Sequence, residues 1–253
     1  MINLTSMGPL TSSPARNMAI EEGLRSLLVQ RLTQLPAGGQ NPAGFISTYV
    51  NQSCIVVGRN QDAESECAEG RLDCEHAVFR RTSGGGAVYH DAGNLNWSFV
   101  VPGSLPQREA LLKLIVDALR ALGVPARAGE RGEILAGNSK IGGTASAAGA
   151  GVLLFHGTIL VSADLDALQK SLAAHRAFYS STSVKSIPSQ VANASDFVPG
   201  ISIDAIQGAI LSLASPTVST KNESLLPSSL IDTLQNIYSS QEWILKGKEQ
   251  HEP

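Results

Sequence analysis

The amino-acid sequence predicts an α+β protein on three observations. Strand-like runs crowd together with short turns between them, as in "FISTYV", "CIVVGR", "AVFRR", "AVYH" and "NLNWSFVV". Helical patterns are interspersed at the start, the middle and the end, without the strict alternation of a parallel βαβ array. Apolar residues make up 43% of the 253 residues, enough for a sizeable core.

The first helix begins at Ser12 or Ser13, followed by Pro14 in the first helical position. "ARNMAIEEGLRSLLVQRL" continues it, with Ile20, Leu24, Leu27 and Leu28 at helical spacing. "LPAGGQNPAG" is a loop. "FISTYV" and "CIVVGR" are strands joined through Asn51, Gln52 and Ser53. "AVFRR" is a third strand, stopping at Thr82, Ser83 and Gly84. "AVYH" and "NLNWSFVV" are two more, turning through Asp91, Ala92 and Gly93. "QREALLKLIVDALRALG" places Leu111, Leu112, Ile115, Leu119 and Leu122 in one stripe, with Gly123 at its C-terminal cap. "GEILAGNSKIGGTA" is a hairpin with Gly137 and Asn138 at its tip. "GVLLFHGTILVS" is a long strand, and Asp164 caps a helix in "DLDALQKSL". Residues 180–199 are mostly loop. "SIDAIQGAILSLA" and "SSLIDTLQNIYSS" are helices, with a polar surface loop between them.

Composition narrows the function. The net charge of -3 excludes a large basic field for nucleic acid. No apolar run approaches the roughly 18 residues that a membrane-spanning helix needs. The first residues lack the basic region and apolar core of a signal peptide, so a cytoplasmic location is expected. Cys54, Cys67 and Cys74 form no C-x-x-C pair, which points to neither a disulfide framework nor a zinc site.

The chemistry concentrates in "RRTSGGGAVYHDAGNLNWSFV", residues 80–100. Bare glycine amides form an anion-binding concavity, and a flanking arginine can fork onto a phosphate. The stretch is neither a P-loop nor a dinucleotide fingerprint. Taken alone, the glycines equally suit a plain β-hairpin connection. Lys140 in "GNSKIGGTA" offers a mobile point charge for a phosphate or carboxylate; the bland alternative is an exposed hairpin lysine.

Together these segments resemble the lipoate–protein ligase family. "RRTSGGGAVYHDAGN" is similar to its signature loop and "SKIGGTA" to its lysine motif. "HGTILVSADLDALQKSL", "TSVKSI", "VPGI", "SSQEW", "NMAIEE" and "IVVGRNQ" resemble further blocks in the family's order. The resemblance implies one biotin/lipoate ligase-like catalytic domain over residues 1–253, with a mostly antiparallel central sheet and helices around it. It implies that ATP and lipoate, or octanoate, give an acyl-adenylate, which a lysine of a lipoyl domain then attacks. Such acceptors are the E2 subunits of 2-oxoacid dehydrogenases and the glycine cleavage H protein.

Carried onto this sequence, the resemblance makes Lys140 the catalytic residue, bridging carboxylate and α-phosphate. Arg81, Ser83, Gly84, Gly85, Gly86, Ala87, Val88 and Tyr89 hold the ATP and adenylate, together with Lys140 and His156. Mg²⁺ is expected to neutralise the triphosphate, with no protein-only metal site. Strand side chains near Val57 and Val88 are expected to line an apolar slot for the acyl tail. His90 reads as a structural hydrogen-bonding residue. Two departures stand out. Gly132 and Glu133 replace the family's Asn-Asp, leaving Glu133 a possible metal-binding or acceptor-orienting carboxylate. The segment "SAAGAG" at 146–151 has no charge where ligases often carry an arginine and acidic residues. The chain stops soon after Trp243, where long ligases begin an accessory domain, so a separate small accessory protein is one expectation. Two other readings share the scaffold. One is a cysteine-dependent octanoyltransferase or lipoyl amidotransferase; the other is a non-catalytic lipoyl-domain-binding relative.

Overall fold

The computed structural model describes residues 3–10, 13–67, 76–172, 184–218 and 225–246. The expected position of Cys74 and the start of "TSVKSI" lie outside these residues. Twelve strands and seven α-helices follow one another as β1 (Leu4–Leu10), α1 (Pro14–Thr33), β2 (Gly44–Tyr49), β3 (Cys54–Val57), α2 (Ala63–Glu66), β4 (Ala77–Arg80), β5 (Val88–His90), β6 (Asn94–Pro102), α3 (Gln107–Ala121), β7 (Ala126–Ala128), β8 (Ile134–Ala136), β9 (Ser139–Gly142), β10 (Thr144–Gly149), β11 (Val152–Leu160), α4 (Leu165–Ser171), α5 (Ile203–Ala214), β12 (Thr217–Val218), α6 (Ser228–Ser239) and α7 (Gln241–Lys246) among the described residues.

The central sheet has six strands in the order β10-β11-β6-β2-β1-β12. The β10/β11, β11/β6 and β6/β2 pairs are antiparallel, whereas β1 runs parallel to both β2 and β12. This is the expected α+β arrangement with two parallel joins at one edge. The sequence reading missed β1 because "LTSMGPL" contains Gly8 and Pro9, both poor strand residues; the register shifts between Ser6 and Pro9. It also missed β12, two residues within a segment read as surface loop, as well as the small-residue strands β7 and β10.

The period-2 alternation of β6 and β11 decides which face each side chain meets. Leu95, Trp97, Phe99 and Val101, with Leu153, Phe155 and Ile159, pack against Leu111, Ile115 and Leu119 of α3 and Ile206 and Ile210 of α5. On the opposite face Phe45, Val100, Val152 and Leu154 meet Leu24 and Leu28 of α1 and Ile231 and Tyr238 of α6. Continuing along that second face, the residues become polar: Tyr49 on β2, Asn96 and Ser98 on β6, His156 and Thr158 on β11. Val100–Ser98–Asn96 and Leu154–His156–Thr158 thus change from core to site within one strand each.

Two small sheets complete the frame, β4-β3-β5 and β7-β8-β9. Neighbouring strands in the chain are split between sheets: β2 and β3 do not pair, and Asp91–Gly93 turns from the β4-β3-β5 sheet into the central one. The helix signals read from the sequence hold in detail. Ser13 caps α1 with Pro14 behind it, Asp164 accepts from the Ala167 amide, and Gly123 has φ +88° after α3. No helix among the described residues is long and apolar enough to cross a membrane.

Candidate active site

A cavity of about 300 Å³ is lined by the polar end of the central sheet, by β3 and β5, by the glycine loop and by the β8–β9 hairpin. That volume is at the small end of the range for ligand pockets. Its walls include Arg81, Gly85, Gly86, Ala87, Val88, Glu133, Lys140 and His156, so most of the expected residues, far apart in sequence, converge.

The glycine loop is not a hairpin turn. β4 and β5 lie on opposite sides of β3, so residues 81–87 must cross over the end of that strand. The crossing is tight: a Cβ on Gly58 would lie 2.1 Å from the Gly85 carbonyl oxygen. Gly85 has φ +91°, a left-handed conformation that side chains resist.

Arg81 holds this loop from beneath. Its guanidinium donates to Ser83 Oγ (3.0 Å) and to the carbonyls of Val56 (3.0 Å), Gly84 (2.7 Å) and Gly86 (2.8 Å). Burial lowers its pKa to about 10, which leaves it cationic at neutral pH. Arg81 therefore acts first as a clasp for the loop rather than as a free fork. With the Gly84 carbonyl turned to Arg81, the trans peptide aims the Gly85 N–H the opposite way. Ala87 N–H is already taken by Ser186 Oγ at 2.9 Å. Arg80 is a second structural cation, fully buried: it donates to carbonyls of Gly58, Gln61 and Ile244 at 2.6–2.9 Å and so fastens α7 to the loop after β3.

Lys140 faces the loop from β9. The register between β8 and β9 shifts at this point: Leu135 pairs with Lys140 but Ile134 with Gly142, so Ile141 is an extra residue that buries itself in the core. The main chain of Lys140 is bound on its other edge by Gln190 O and Ala192 N–H. The ammonium sits beside Gly143, where a Cβ would be 3.5 Å from Nζ, and makes no ion pair among the described residues. Its pKa is lowered, chiefly by burial, with Arg131 and Arg81 adding to that and Glu133 opposing it. Glu133 is tied to Arg131 through the backbone N–H (2.9 Å) and the guanidinium (3.5 Å). Burial acts to raise the Glu133 pKa, but backbone N–H groups and Arg131 outweigh it and hold the carboxyl below its usual range.

Ser83 does not reach the cavity surface; it is fully buried and 2.6 Å from His156 Nε2. His156 Nδ1 is 2.9 Å from Glu21 Oε2, and Glu21 Oε1 accepts from Tyr49 O–H at 2.9 Å. The serine, histidine and carboxylate are in the order of a hydrolytic triad, but the hydroxyl is sealed and already accepts from Arg81. The chain instead fixes the His156 ring in the cavity wall. Tyr89 points away, with its ring packed edge-on against His76 at 5.2 Å. Strand parity explains this: Val88 and His90 line the cavity, and Tyr89 between them cannot. The same parity selects among the strand side chains near Val57 and Val88: Val56 and Val88 face the cavity, and Val57 packs in a separate cluster.

Residues 13–213 match the family model described as "Lipoyl protein ligase A/B catalytic domain". The chain belongs to this lipoyl protein ligase A/B catalytic domain family. It is 36% identical over 191 residues to lipoate–protein ligase 1 of Staphylococcus aureus, covering 74% of this chain and 55% of that protein. It thus spans about half the length of the curated relatives it matches. A crystal structure of a lipoate–protein ligase A bound with ATP superposes with a TM-score of 0.76 at 27% identity, over 98% of this chain and 100% of that one. A structure of a bi-partite lipoate protein ligase and its E2 lipoyl domain from Thermoplasma acidophilum gives 0.77 at 25% identity, over the full length of both chains.

Within this lipoyl ligase family fold, the uncharged 146–151 segment has little access to the cavity. It forms the outer part of the edge strand β10 and the turn after it, and the residues of β10 that line the cavity are Thr144 and Ala145, just before it. The described cysteines, Cys54 and Cys67, also lie away from it. Cys54 is buried in the α1 core with its thiol pushed up to about 12 by desolvation, and Cys67 is buried in a separate cluster. Residues that sequence reasoning did not single out are Glu21, Tyr49, Asn51, Asn96 and Ser186. One signal was present: Asn17 and Glu21 occupy the same inward stripe of α1 as Leu24 and Leu28, and a carboxylate is seldom buried there without a partner.

Proposed function

We propose that this chain is the catalytic part of an ATP-dependent lipoate–protein ligase that activates lipoate, or octanoate, as the acyl-adenylate and passes it to a lysine of a lipoyl domain. The observation that carries the reading is the partly buried, unpaired Lys140 ammonium facing a bare glycine loop across a cavity that no described cysteine lines. Activation brings an anionic carboxylate against an anionic α-phosphate, so a preorganised cation between them is the main requirement. Lys140 would bind both oxygens, favour attack on phosphorus and stabilise AMP as the leaving group when the acceptor lysine attacks the acyl carbon. Gly85 and Gly86 would let the phosphates approach the backbone, and His156 would hold the adenylate from the sheet side.

Mg²⁺ would enter with the triphosphate and offset its charge. Glu133 is the carboxylate that lines the cavity among the described residues, and no group of three or more metal-ligating side chains stands ready there. One carboxylate plus phosphate oxygens and water suits this ion. The acceptors proposed are lipoyl domains of 2-oxoacid dehydrogenase E2 subunits or the glycine cleavage H protein, in the cytoplasm. A separate small accessory protein is part of the proposal, in keeping with the likeness to a ligase described as bi-partite.

Lipoate-dependent exchange of pyrophosphate into ATP tests the reading. The expected result is exchange that Lys140→Ala abolishes in a folded protein. Acyl transfer without ATP through a trapped thioester indicates the transferase instead, and lipoyl-domain binding without exchange indicates the non-catalytic relative.

A further inference from the structure

Arg80 and Arg81 are consecutive and send their side chains opposite ways, as neighbours on an extended chain do. Arg81 clasps the glycine loop from the cavity side. Arg80 does not line the cavity, and its fork is divided between two segments far apart in sequence. Nη1 donates to the carbonyls of Gly58 (2.8 Å), Arg59 (3.1 Å) and Gln61 (2.7 Å). Nε and Nη2 donate to the carbonyls of Trp243 (3.1 Å), Ile244 (2.9 and 2.6 Å) and Leu245 (3.3 Å) in α7. The guanidinium is fully buried and makes no ion pair among the described residues. These carbonyls are therefore what keeps a buried charge solvated.

Each of the two segments depends on the other through this side chain. Residues 58–61 carry the glycine loop. Arg59 N–H donates to Ser83 O at 2.9 Å, and the Gly85 carbonyl packs directly on Gly58. Gln61 Oε1 accepts from Gly58 N–H at 2.8 Å, and Gln61 Nε2 donates to Ser186 Oγ at 3.1 Å, the oxygen that also accepts from Ala87 N–H. Helix α7 has only six residues, too few to hold together by themselves, and the carbonyls of its last turn lack partners within the helix. It is seated by Arg80, by Trp243 Nε1 donating back to Arg80 O at 2.7 Å, and by Ile244. Ile244 enters the cluster of Ile55, Val57 and Val78, against which Ala87 also packs. When α7 leaves, Arg80 loses half of its acceptors and turns to water, which releases Gly58, Arg59 and Gln61. Seating of α7 and order in the glycine loop are then two sides of one equilibrium.

We propose that Arg80 is a positioning residue that makes the order of the glycine loop, and with it nucleotide affinity, depend on the seating of α7. The inference rests on the ligase reading for the nucleotide alone; the coupling between α7 and the loop is measurable without any ligand.

The test compares the full chain with Trp243→Ala, which loosens α7 and leaves the Arg80 side chain intact, and with Arg80→Met, which keeps an apolar stem. Amide hydrogen exchange is followed first, without nucleotide. The Arg59 and Ala87 amides are expected to exchange at least about fivefold faster in both variants, the low end of ordinary coupling between sites, while the amides of α3 keep their rates. An unchanged loop, or an equal acceleration that includes α3, overturns the proposal, because the second is a general loss of stability. ATP affinity by calorimetry is the second reading. Each variant is expected to weaken ATP by about fivefold or more, and the double variant to be no weaker than Arg80→Met, since both changes break the same link. Losses that add in the double variant, or an affinity that neither variant moves, overturn the proposal. Should Arg80→Met not fold, the exchange pattern of Trp243→Ala decides. An unaltered protein that binds no ATP removes the ligase reading, and the exchange pattern then decides the coupling by itself.

Discussion

Replacing Arg81 with lysine separates two roles that a cation beside the glycine loop can have. The charge is kept, but five planar N–H donors become one compact ammonium. In the structure the guanidinium reaches Ser83 Oγ and three carbonyls, those of Val56, Gly84 and Gly86. An ammonium at the end of a shorter stem can serve one or two of these, so at least two bonds to a charged donor are lost. At about 1.5–3 kcal/mol each the loss is about 3–6 kcal/mol before relaxation, and water admitted to the exposed loop reduces it to about 3 kcal/mol. For a chain of this size that lowers the melting temperature by about 6–12 °C. Differential scanning calorimetry of Arg81→Lys, paired with ATP titration at a temperature where the variant is folded, reads both quantities. The clasp reading expects the stability loss, with nucleotide affinity falling only as loop order is lost. An unchanged melting temperature together with a large loss of ATP affinity refutes it and makes Arg81 a phosphate ligand first.

Two further outcomes follow from the site. Lys140 must be cationic to bridge two anions, and burial lowers its pKa, so adenylate formation is expected to fall as pH rises through a value below that of an ordinary lysine; Lys140→Arg should hold whatever activity it retains to higher pH, and coincident alkaline limbs count against the bridging role. Cys54, Cys67 and Cys74 changed together to alanine should leave lipoate-dependent pyrophosphate exchange intact in a folded protein, since the Cys54 thiol is pushed up to about 12 and neither it nor Cys67 lines the cavity; abolished exchange with normal folding points to thioester chemistry.

The sequence by itself determined the elements whose signals are local. The caps at Ser13 and Asp164, the stripe of α3, the tip of the β8–β9 hairpin and the alternating runs of β6 and β11 all follow from interactions within a few residues. The glycine loop and the lysine hairpin were legible as candidate anion-binding pieces because glycine and lysine act through properties they carry anywhere. What only the tertiary structure decided is which pieces face each other. The loop from β4 to β5 proved to be a crossover above β3, Arg81 turned under it, and Tyr89 turned out of the cavity by strand parity. Ser83, His156, Glu21 and Tyr49 join across as many as 135 residues of chain, in hydrogen bonds that no spacing announces. The physical reason is that periodicity tells a residue which side of its own element it is on. The partner on that side, and whether a buried ring nitrogen such as His90 Nε2 finds one, is set by how separate sheets and helices pack.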